Sequence, residues 1–222
     1  MPIDIIFEFP GLYLGGLWLT IQLSGLSLAG SLLIGTIVAL FRTSPIAPLR
    51  WPGAAYVEFF RNTPLLVQLF FLFFALPSLG VNFSTDTFEA NFRAAVLGLT
   101  LYHGAYVAEI VRGGIVAVDR GQIEAARSLG LSYGQMLRSV QLPQSFRAIV
   151  PPLGNIAIAL IKNTSLAATI AVAELLYAGQ VVESRTFRAF EAYGAVALLY
   201  LTITLPAGFV VNRLERHLAV QR

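Results

Sequence analysis

The chain has a single lysine, Lys162, and it stands between two apolar stretches of the sequence. IAIALI precedes the polar residues KNTS, and LAATIAVA follows them. A charged side chain in the middle of a membrane-spanning helix costs about 3 kcal/mol on insertion scales, so such a residue indicates a functional site. On a helix, the face that carries Lys162 also carries Asn155, Ser165 and Thr169. If these stretches cross a membrane, Lys162 marks a path for a polar solute.

Two further apolar stretches carry polar residues that could face the same path. Tyr102, Tyr106 and Glu109 follow one another at helical spacing and share one helix face. A zwitterionic solute needs donors for its carboxylate and acceptors for its ammonium group, and Lys162 would supply the former and Glu109 the latter. The predicted path is lined by Lys162, Asn163, Thr164, Ser165, Glu109, Tyr106 and Gln68.

The same residues also allow interpretations that involve no solute. Lys162 and Glu109 could form a structural ion pair, or Glu109 could pair with Arg112 three residues later. His103 is a lone histidine in its stretch, and we favour a packed residue over a proton relay. Arg61 could gate the path or be a solvated charge at a helix end.

Composition indicates a membrane protein. Of the 222 residues, 56% are hydrophobic and 12% are charged, and the mean hydropathy is +0.72. A soluble domain carries about twice that charged fraction. The chain has no cysteine, which excludes disulfides and cysteine-based metal sites. It also lacks a Walker-type nucleotide-binding loop and the HExxH and GxSxG motifs, so we predict no catalytic residues, no metal site and no nucleic-acid partner.

Five apolar stretches are long enough for membrane-spanning helices, which need about 20 residues each. They lie at about 11–41, 57–79, 93–115, 147–175 and 193–212 of one transmembrane domain, 1–222. The fourth is predicted to be interrupted at KNTS, because neither half spans alone. The predicted fold class is therefore an all-α integral membrane bundle of five transmembrane helices.

Small residues mark one face of the first span. Ser31, Gly35 and Ala39 recur at every fourth position. This spacing lets helix backbones approach closely in lipid. It predicts ordinary close packing within the bundle rather than a binding site.

Arginines in the connecting segments predict the orientation, because cytoplasmic loops carry an excess of basic residues. One side holds few of them, namely Arg93, Arg185 and Arg188. The other side is predicted to be cytoplasmic and collects Arg42, Arg50, Arg112, Arg120, Arg127, Arg138, Arg147, Arg213, Arg216 and Arg222. We therefore predict a multi-pass protein of a bacterial cytoplasmic membrane, with its N-terminus outside and its C-terminus in the cytoplasm.

The segment at about 117–145 is predicted to be a cytoplasmic pair of short helices. Gly130 suits the end of the first helix, because glycine adopts positive φ without strain. Ser132 can cap the second helix, and Pro143 is predicted to stop it. Ala125 and Ala126 would leave a surface that a partner could approach closely. A self-packed re-entrant loop remains the alternative.

This segment resembles the EAA signature of the permease subunits of bacterial ABC importers. Glu124, Ala125 and Ala126 precede Gly130 at the family's spacing, and Leu142 and Pro143 close the motif, with Val140 where isoleucine is usual. EFFRNTPLLVQLFF, AYVAEIVRGGI and KNTSLAATIAVAELLYAGQ are similar to the polar amino-acid subfamily, whose members have five spans and an outside N-terminus. The resemblance therefore implies the type I ABC importer transmembrane fold.

The resemblance also implies partners. A separate ABC ATPase dimer would use ATP and Mg²⁺, with no cofactor bound by this chain itself. The loop would dock on it through Glu124, Ala125, Ala126, Gly130, Leu142 and Pro143. An extracytoplasmic binding protein would deliver a polar amino acid, and a second permease subunit, identical or a sibling, would complete the conduit within the lipid bilayer.

The substrate follows from charge only in part. A cationic Lys162 on the path repels basic side chains, which favours glutamate, glutamine or aspartate over arginine or histidine. The alternative function is a proton-coupled secondary transporter with Glu109, His103 and Lys162 as the relay. A membrane-embedded enzyme, the third class, has no supporting motif.

Overall fold

A computed structural model of the chain describes residues 2–218, so Arg222 of the predicted cytoplasmic set lies outside the described residues. Within this range the chain is helical and forms no strand. Its helices are α1 Pro2–Glu8, α2 Pro10–Thr43, α3 Ala47–Asn62, α4 Leu65–Ser78, α5 Thr87–Val116, α6 Arg120–Ser128, α7 Tyr133–Ile170, α8 Leu175–Thr186 and α9 Ala189–Leu218.

Four of these helices are long and apolar enough to cross a membrane, namely α2, α5, α7 and α9. The consecutive helices α3 and α4 pass the same test together, although they meet at a bend of 105°. Counted as one span, this pair gives the fifth. The predicted all-α membrane bundle is confirmed.

The bend between α3 and α4 was not predicted from the sequence. Thr63 is extended, with φ −114° and ψ 140°, and Pro64 follows it. Proline lacks a backbone N–H and disfavours helical geometry in the preceding residue, so the helix ends at Asn62. The Gln68 side chain bridges the bend, since its Nε2 donates to the backbone oxygens of Phe60 and Thr63, both at 3.1 Å.

The α-helical part of the fourth span ends at Asn163, within KNTS as predicted, but the chain does not break there. Helix α7 continues through Lys162 and tightens to 3-10 geometry only over Thr164–Ile170. Ser165 and Thr169 hydroxyls donate to the carbonyl oxygens three residues before them, at 2.8 and 2.6 Å, which supports the tighter turn. The chain breaks later, at Ala171, whose φ is +58°.

Pro143 does not stop the second helix of the segment predicted to be cytoplasmic, contrary to the prediction. The helix that begins at Tyr133 passes through it into the fourth span. A π-helical turn over Leu137–Gln141 ends with one residue between it and the proline. The wider turn displaces the carbonyl groups that the proline ring would otherwise meet, so the helix can continue. The segment is therefore joined rigidly to the span and is not separated from it near residue 146.

The small residues of the first span pack as predicted. Ser31, Gly35 and Ala39 are buried on one face of α2. The Ser31 hydroxyl donates to the backbone oxygen of Thr100 at 3.2 Å, so α2 and α5 lie against each other. A Cβ atom at Gly35 would stand 2.5 Å from Val107 Cγ1 and 2.7 Å from the backbone oxygen of Gly104. Only glycine fits this crossing.

We expect Gly35→Leu to lower the stability of the bundle. The added side chain meets the Gly104 backbone, which cannot rotate away, so α2 and α5 must separate. Overpacking of this kind costs about 1–3 kcal/mol. Gly25→Leu on the same helix is the matched control, because a Cβ there meets no atom within 4 Å. Thermal unfolding in lipid nanodiscs measures both; equal melting temperatures would contradict the packing argument.

Candidate functional site

The exposed face of α7 is polar at regular intervals. Asn155, Lys162 and Thr169 lie seven residues apart, and each is exposed, whereas most of their neighbours on this helix are partly or fully buried. Lys162 forms no ion pair with any residue of the described range 2–218. Two turns of an α-helix contain about seven residues, so Asn155 and Lys162 lie on one face, and the exposed Thr169 follows them in the 3-10 turn. We call Asn155, Lys162 and Thr169 the α7 stripe.

Asn163, next to the stripe, contacts helix α5. Its Nδ2 lies 3.1 Å from Nε2 of His103. The other ring nitrogen of His103, Nδ1, lies 2.9 Å from the backbone oxygen of Leu99. His103 is 1% exposed, so it is a packed residue, as the sequence favoured.

Aromatic side chains extend the group formed by Asn163 and His103 towards the bend between α3 and α4; we call these residues together the polar cluster. The hydroxyls of Tyr102 and Tyr106 lie 3.1 Å apart. The guanidinium carbon of Arg61 lies 5.4 Å from the centre of the Tyr106 ring, within reach of a cation–π interaction. Tyr106 is thus half-buried between a cation and a second tyrosine, and the exposed Arg61 adds positive charge to this side of the bundle.

Two of the predicted path residues lie inside the bundle. Thr164 is fully buried, its hydroxyl donates to the backbone oxygen of Ile161 at 2.7 Å, and it lies 3.5 Å from the Tyr200 hydroxyl. Gln68 is 7% exposed and is held by its contacts across the bend. Its Oε1 is buried and has no partner within the described residues. Both side chains support the elements around the stripe rather than the exposed face itself.

Glu109 pairs with two arginines, Arg42 and Arg112, and not with Lys162. Its Oε2 accepts from Arg42 of α2, and its Oε1 accepts from Arg112, at 3.1 Å from Nε. The expected alternative of an Arg112 pair is confirmed, and the alternative of a Lys162–Glu109 pair is wrong. Six residues separate Glu109 from His103, which is about 9 Å along a helix, towards the Val116 end. Both carboxylate oxygens are engaged there, where α2 ends.

We expect Glu109→Gln to destabilise this end of the bundle. The change leaves Arg42 and Arg112 facing each other without an anion. Breaking a buried pair costs about 3–5 kcal/mol, and the partial exposure of these side chains reduces the expected loss to about 1–2 kcal/mol. The double variant Glu109→Gln/Arg42→Gln should recover part of the loss in thermal unfolding. No recovery would show that the two side chains do not act as a pair.

A buried carboxylate at Glu174 was missed by the sequence reasoning. Glu174 has no exposed surface and begins helix α8, where its Oε1 accepts from the backbone N–H of Tyr177 at 3.0 Å. Its Oε2 accepts from the hydroxyls of Tyr200, at 2.6 Å, and Thr20, at 3.3 Å. The carboxylate therefore joins α2, α8 and α9 behind the 3-10 turn. The sequence signal for this buried carboxylate is a lone acidic residue in an apolar run, immediately before a helical pattern.

The segment predicted to be cytoplasmic folds as a compact knob, which comprises 119–141. Asp119 caps α6 by accepting from the N–H of Gly121 at 2.7 Å. Gly130 ends the helix with φ +76°, as predicted. Ser132 begins α7 with a reciprocal capping box, in which its N–H donates to Gln135 Oε1 at 2.9 Å. The turn between the two helices is therefore specified by local chemistry.

The knob exposes some of the signature residues and buries one. Glu124, Ala125 and Gly130 are exposed on it. Leu142 and Pro143, just beyond it, are exposed as well. Ala126 is only 4% exposed, so the predicted pair of surface alanines is wrong for Ala126, which packs inward. One helix turn directs Ala125 outward and Ala126 inward, because consecutive residues are about 100° apart.

The knob and the α7 stripe both lie within the region matched by a family model. A model of the family described as "Binding-protein-dependent transport system inner membrane component" matches residues 31–220, which include the knob and the α7 stripe. The chain belongs to this family. It is therefore a multi-pass component of an inner-membrane transport system, and the resemblance drawn from the signature is confirmed.

Its relatives match over nearly the whole chain. The probable glutamine ABC transporter permease protein GlnM of Bacillus subtilis (strain 168) is 40% identical, over 98% of both chains. The glutamate transport system permease protein GluC of Corynebacterium efficiens is 42% identical, over 92% of this chain and 93% of that one. The glutamine transport system permease protein GlnP of Escherichia coli (strain K12) is 40% identical, over 94% of each.

Solved structures of transporters share the fold. The crystal structure of an amino acid ABC transporter with histidines aligns with a TM-score of 0.87 at 36% identity, over 96% of each chain. The inward-facing MetNI methionine ABC transporter aligns with a TM-score of 0.73 at 22% identity, over 96% of this chain and 99% of that one, and so supports the fold alone. The family and the relatives matched over nearly the whole chain are consistent with a transport subunit rather than an enzyme.

Proposed function

We propose that this permease is one of two membrane subunits of an ATP-driven importer for a polar amino acid, with glutamine, glutamate or aspartate favoured over arginine or histidine. The observation that carries the proposal is the α7 stripe. Lipid solvates exposed asparagine and lysine side chains poorly, and an unpaired lysine at membrane depth costs about 3 kcal/mol. A stripe of this kind is stable where it faces a water-filled path.

A second permease subunit would enclose that path. Polar residues that face outward from one bundle become interior residues when a second bundle packs against the same face. The partner is either a second copy of this chain or a sibling chain. In both cases Lys162, Asn163 and Ser165 would line the conduit from this subunit, with Tyr106 at its edge and Thr164 and Gln68 supporting it from behind.

Charge favours an acidic or amide amino acid. Lys162 is unpaired within the described residues, and Arg61 adds a second exposed cation near the Tyr106 end of the polar cluster. The two cations make this side of the path positive, which repels a second guanidinium or ammonium group on the solute and favours an acidic or amide amino acid. The names of the relatives from three organisms, which specify glutamine or glutamate, support the same class.

The knob would couple the conduit to ATP hydrolysis in a separate ATPase dimer that binds the ATP and Mg²⁺. Glu124, Ala125 and Gly130 present its outer surface, and α7 continues from the knob directly into the span that carries the stripe. A push on the knob would therefore move Lys162 as part of one helix. In this arrangement the arginine-rich side and the C-terminus are cytoplasmic, and a binding protein delivers the amino acid from the side of the N-terminus.

Reconstitution tests this proposal. The permease, its copurified subunits and a binding protein are placed in liposomes, and ATP hydrolysis is measured with glutamine, glutamate, aspartate, arginine or histidine. We expect one loaded acidic or amide ligand to stimulate hydrolysis and to drive uptake. Uptake that follows a proton gradient without any ATPase would overturn the proposal in favour of a secondary transporter.

A further inference from the structure

We infer that His103 is a positioning residue that holds the Asn163 amide so that its Oδ1 accepts a hydrogen bond from the ammonium group of the amino acid. The inference rests on the proposed function and assigns a role to a histidine that does not itself reach the path. It also replaces Glu109 as the ammonium acceptor, since both oxygens of Glu109 are engaged by Arg42 and Arg112.

The hydrogen bonds of His103 determine its tautomer. A backbone carbonyl can only accept, so Nδ1, 2.9 Å from the Leu99 oxygen, must carry the proton. In the neutral ring Nε2 then has a lone pair and no hydrogen. The group of Asn163 that faces Nε2 at 3.1 Å must therefore be the amide nitrogen, which donates. The orientation of the Asn163 side chain follows from this network.

The free end of the amide is then an acceptor. Asn163 Oδ1 accepts no hydrogen bond from residues 2–218, and it is not one of the buried, unpaired oxygens. It is thus accessible for a ligand. If His103 carried its proton on Nε2 instead, Asn163 would turn its oxygen inward and expose its NH₂ group, and an ammonium group would meet a donor.

Lys162 and Asn163 together match the two charges of an α-amino acid. The carboxylate and ammonium groups of such a molecule are attached to one carbon, so their binding partners must lie close together. Lys162 and Asn163 are consecutive on α7 and point about 100° apart around its axis, and the long Lys162 side chain can turn its ammonium group towards Oδ1 of Asn163, so that a donor and an acceptor lie side by side. Glu109 lies about 9 Å farther along α5. The adjacent pair therefore suits the backbone of the amino acid and leaves its side chain to other contacts.

A double-mutant cycle in the reconstituted importer tests the role of His103. Asn163→Leu removes the acceptor, and His103→Leu releases the amide; each should reduce uptake of glutamine about tenfold, as expected for the loss of one hydrogen bond to a charged group. The double variant should lose no more than Asn163→Leu alone, because His103 acts through Asn163. His103→Gln should restore uptake, since its amide oxygen can accept from Asn163. Losses that add in the double variant would overturn the inference.

Nitrogen-15 NMR of the permease in nanodiscs tests the tautomer without transport. The chain has two histidines, and His217→Gln leaves His103 as the only labelled ring. We expect a neutral ring with the proton on Nδ1. A proton on Nε2 would overturn the inference directly. If the wild-type importer does not take up an amino acid at all, the proposed function fails; if it does and the cycle is additive, only the role of His103 fails.

Discussion

Lys162→Glu is expected to reduce uptake of glutamate by more than about 100-fold. If Lys162 lines the path as proposed, its ammonium group would supply a charge-assisted hydrogen bond worth about 1.5–3 kcal/mol, which is about 10- to 100-fold in rate, and a carboxylate in its place would add repulsion of the substrate. Initial rates of uptake into proteoliposomes, with the binding protein saturated, measure the effect. Lys162 is exposed and has no ion-pair partner in the described range, so the fold should tolerate the change.

Matched variants separate charge from shape at this position. Lys162→Arg keeps the positive charge and should retain most of the uptake, whereas Lys162→Met keeps the length of the side chain and should show the 10- to 100-fold loss alone. Basal ATP hydrolysis should be the same in all of them, because the knob is unchanged. Wild-type uptake by Lys162→Met would remove Lys162 from the path.

The parts of the fold that sequence reasoning recovered depend on neighbours along the chain. Gly130 and Ser132 define the knob turn because left-handed geometry and a hydroxyl cap are local requirements. The small residues at Ser31 and Gly35 indicated close helix packing for a similar reason, since helical spacing alone aligns them, but they did not indicate α5 as the partner. In each case the local pattern appears in a few residues of one element, even where its partner lies elsewhere.

The parts that it missed depend on contacts between distant residues. Arg42 reaches Glu109 across 67 positions, and no spacing rule connects them. Glu174 is buried by Thr20 and Tyr200, which belong to other helices. The bend after Asn62 is a different case: Pro64 gave a local signal, but residues 57–79 were predicted as a single span across Arg61, Asn62 and Thr63.

The prediction at Pro143 failed because the structure accommodates the proline inside a continuous helix. A proline inside a helix removes one hydrogen bond and usually ends or kinks it. Here the π-helical turn over Leu137–Gln141 absorbs the irregularity, and the helix persists to Ile170. The consequence concerns function, since an unbroken helix joins the surface of the knob to Lys162.

Ala125→Trp is expected to abolish copurification of the ATPase and to reduce ATP-driven uptake by more than about 100-fold, the equivalent of about 3 kcal/mol. Ala125 is exposed on the knob, whose caps hold its shape. A rigid surface that docks through a small side chain cannot move aside for an indole ring, so the partner is held away. Pull-down of the ATPase and uptake into liposomes measure the two effects.

The neighbouring alanine distinguishes lost docking from lost folding. Ala126 is 4% exposed and packs inward, so Ala126→Trp should lower the unfolding temperature of the permease itself. Ala125→Trp should leave that temperature unchanged, because surface substitutions usually alter stability by less than about 0.5 kcal/mol. Ala125→Ser, which keeps the side chain small, should retain the ATPase and uptake. If Ala125→Trp bound the ATPase normally and transported at the wild-type rate, the knob would not be the docking surface. If it bound the ATPase normally but lost uptake, docking would lie elsewhere, and the knob would act only in transmitting motion along α7.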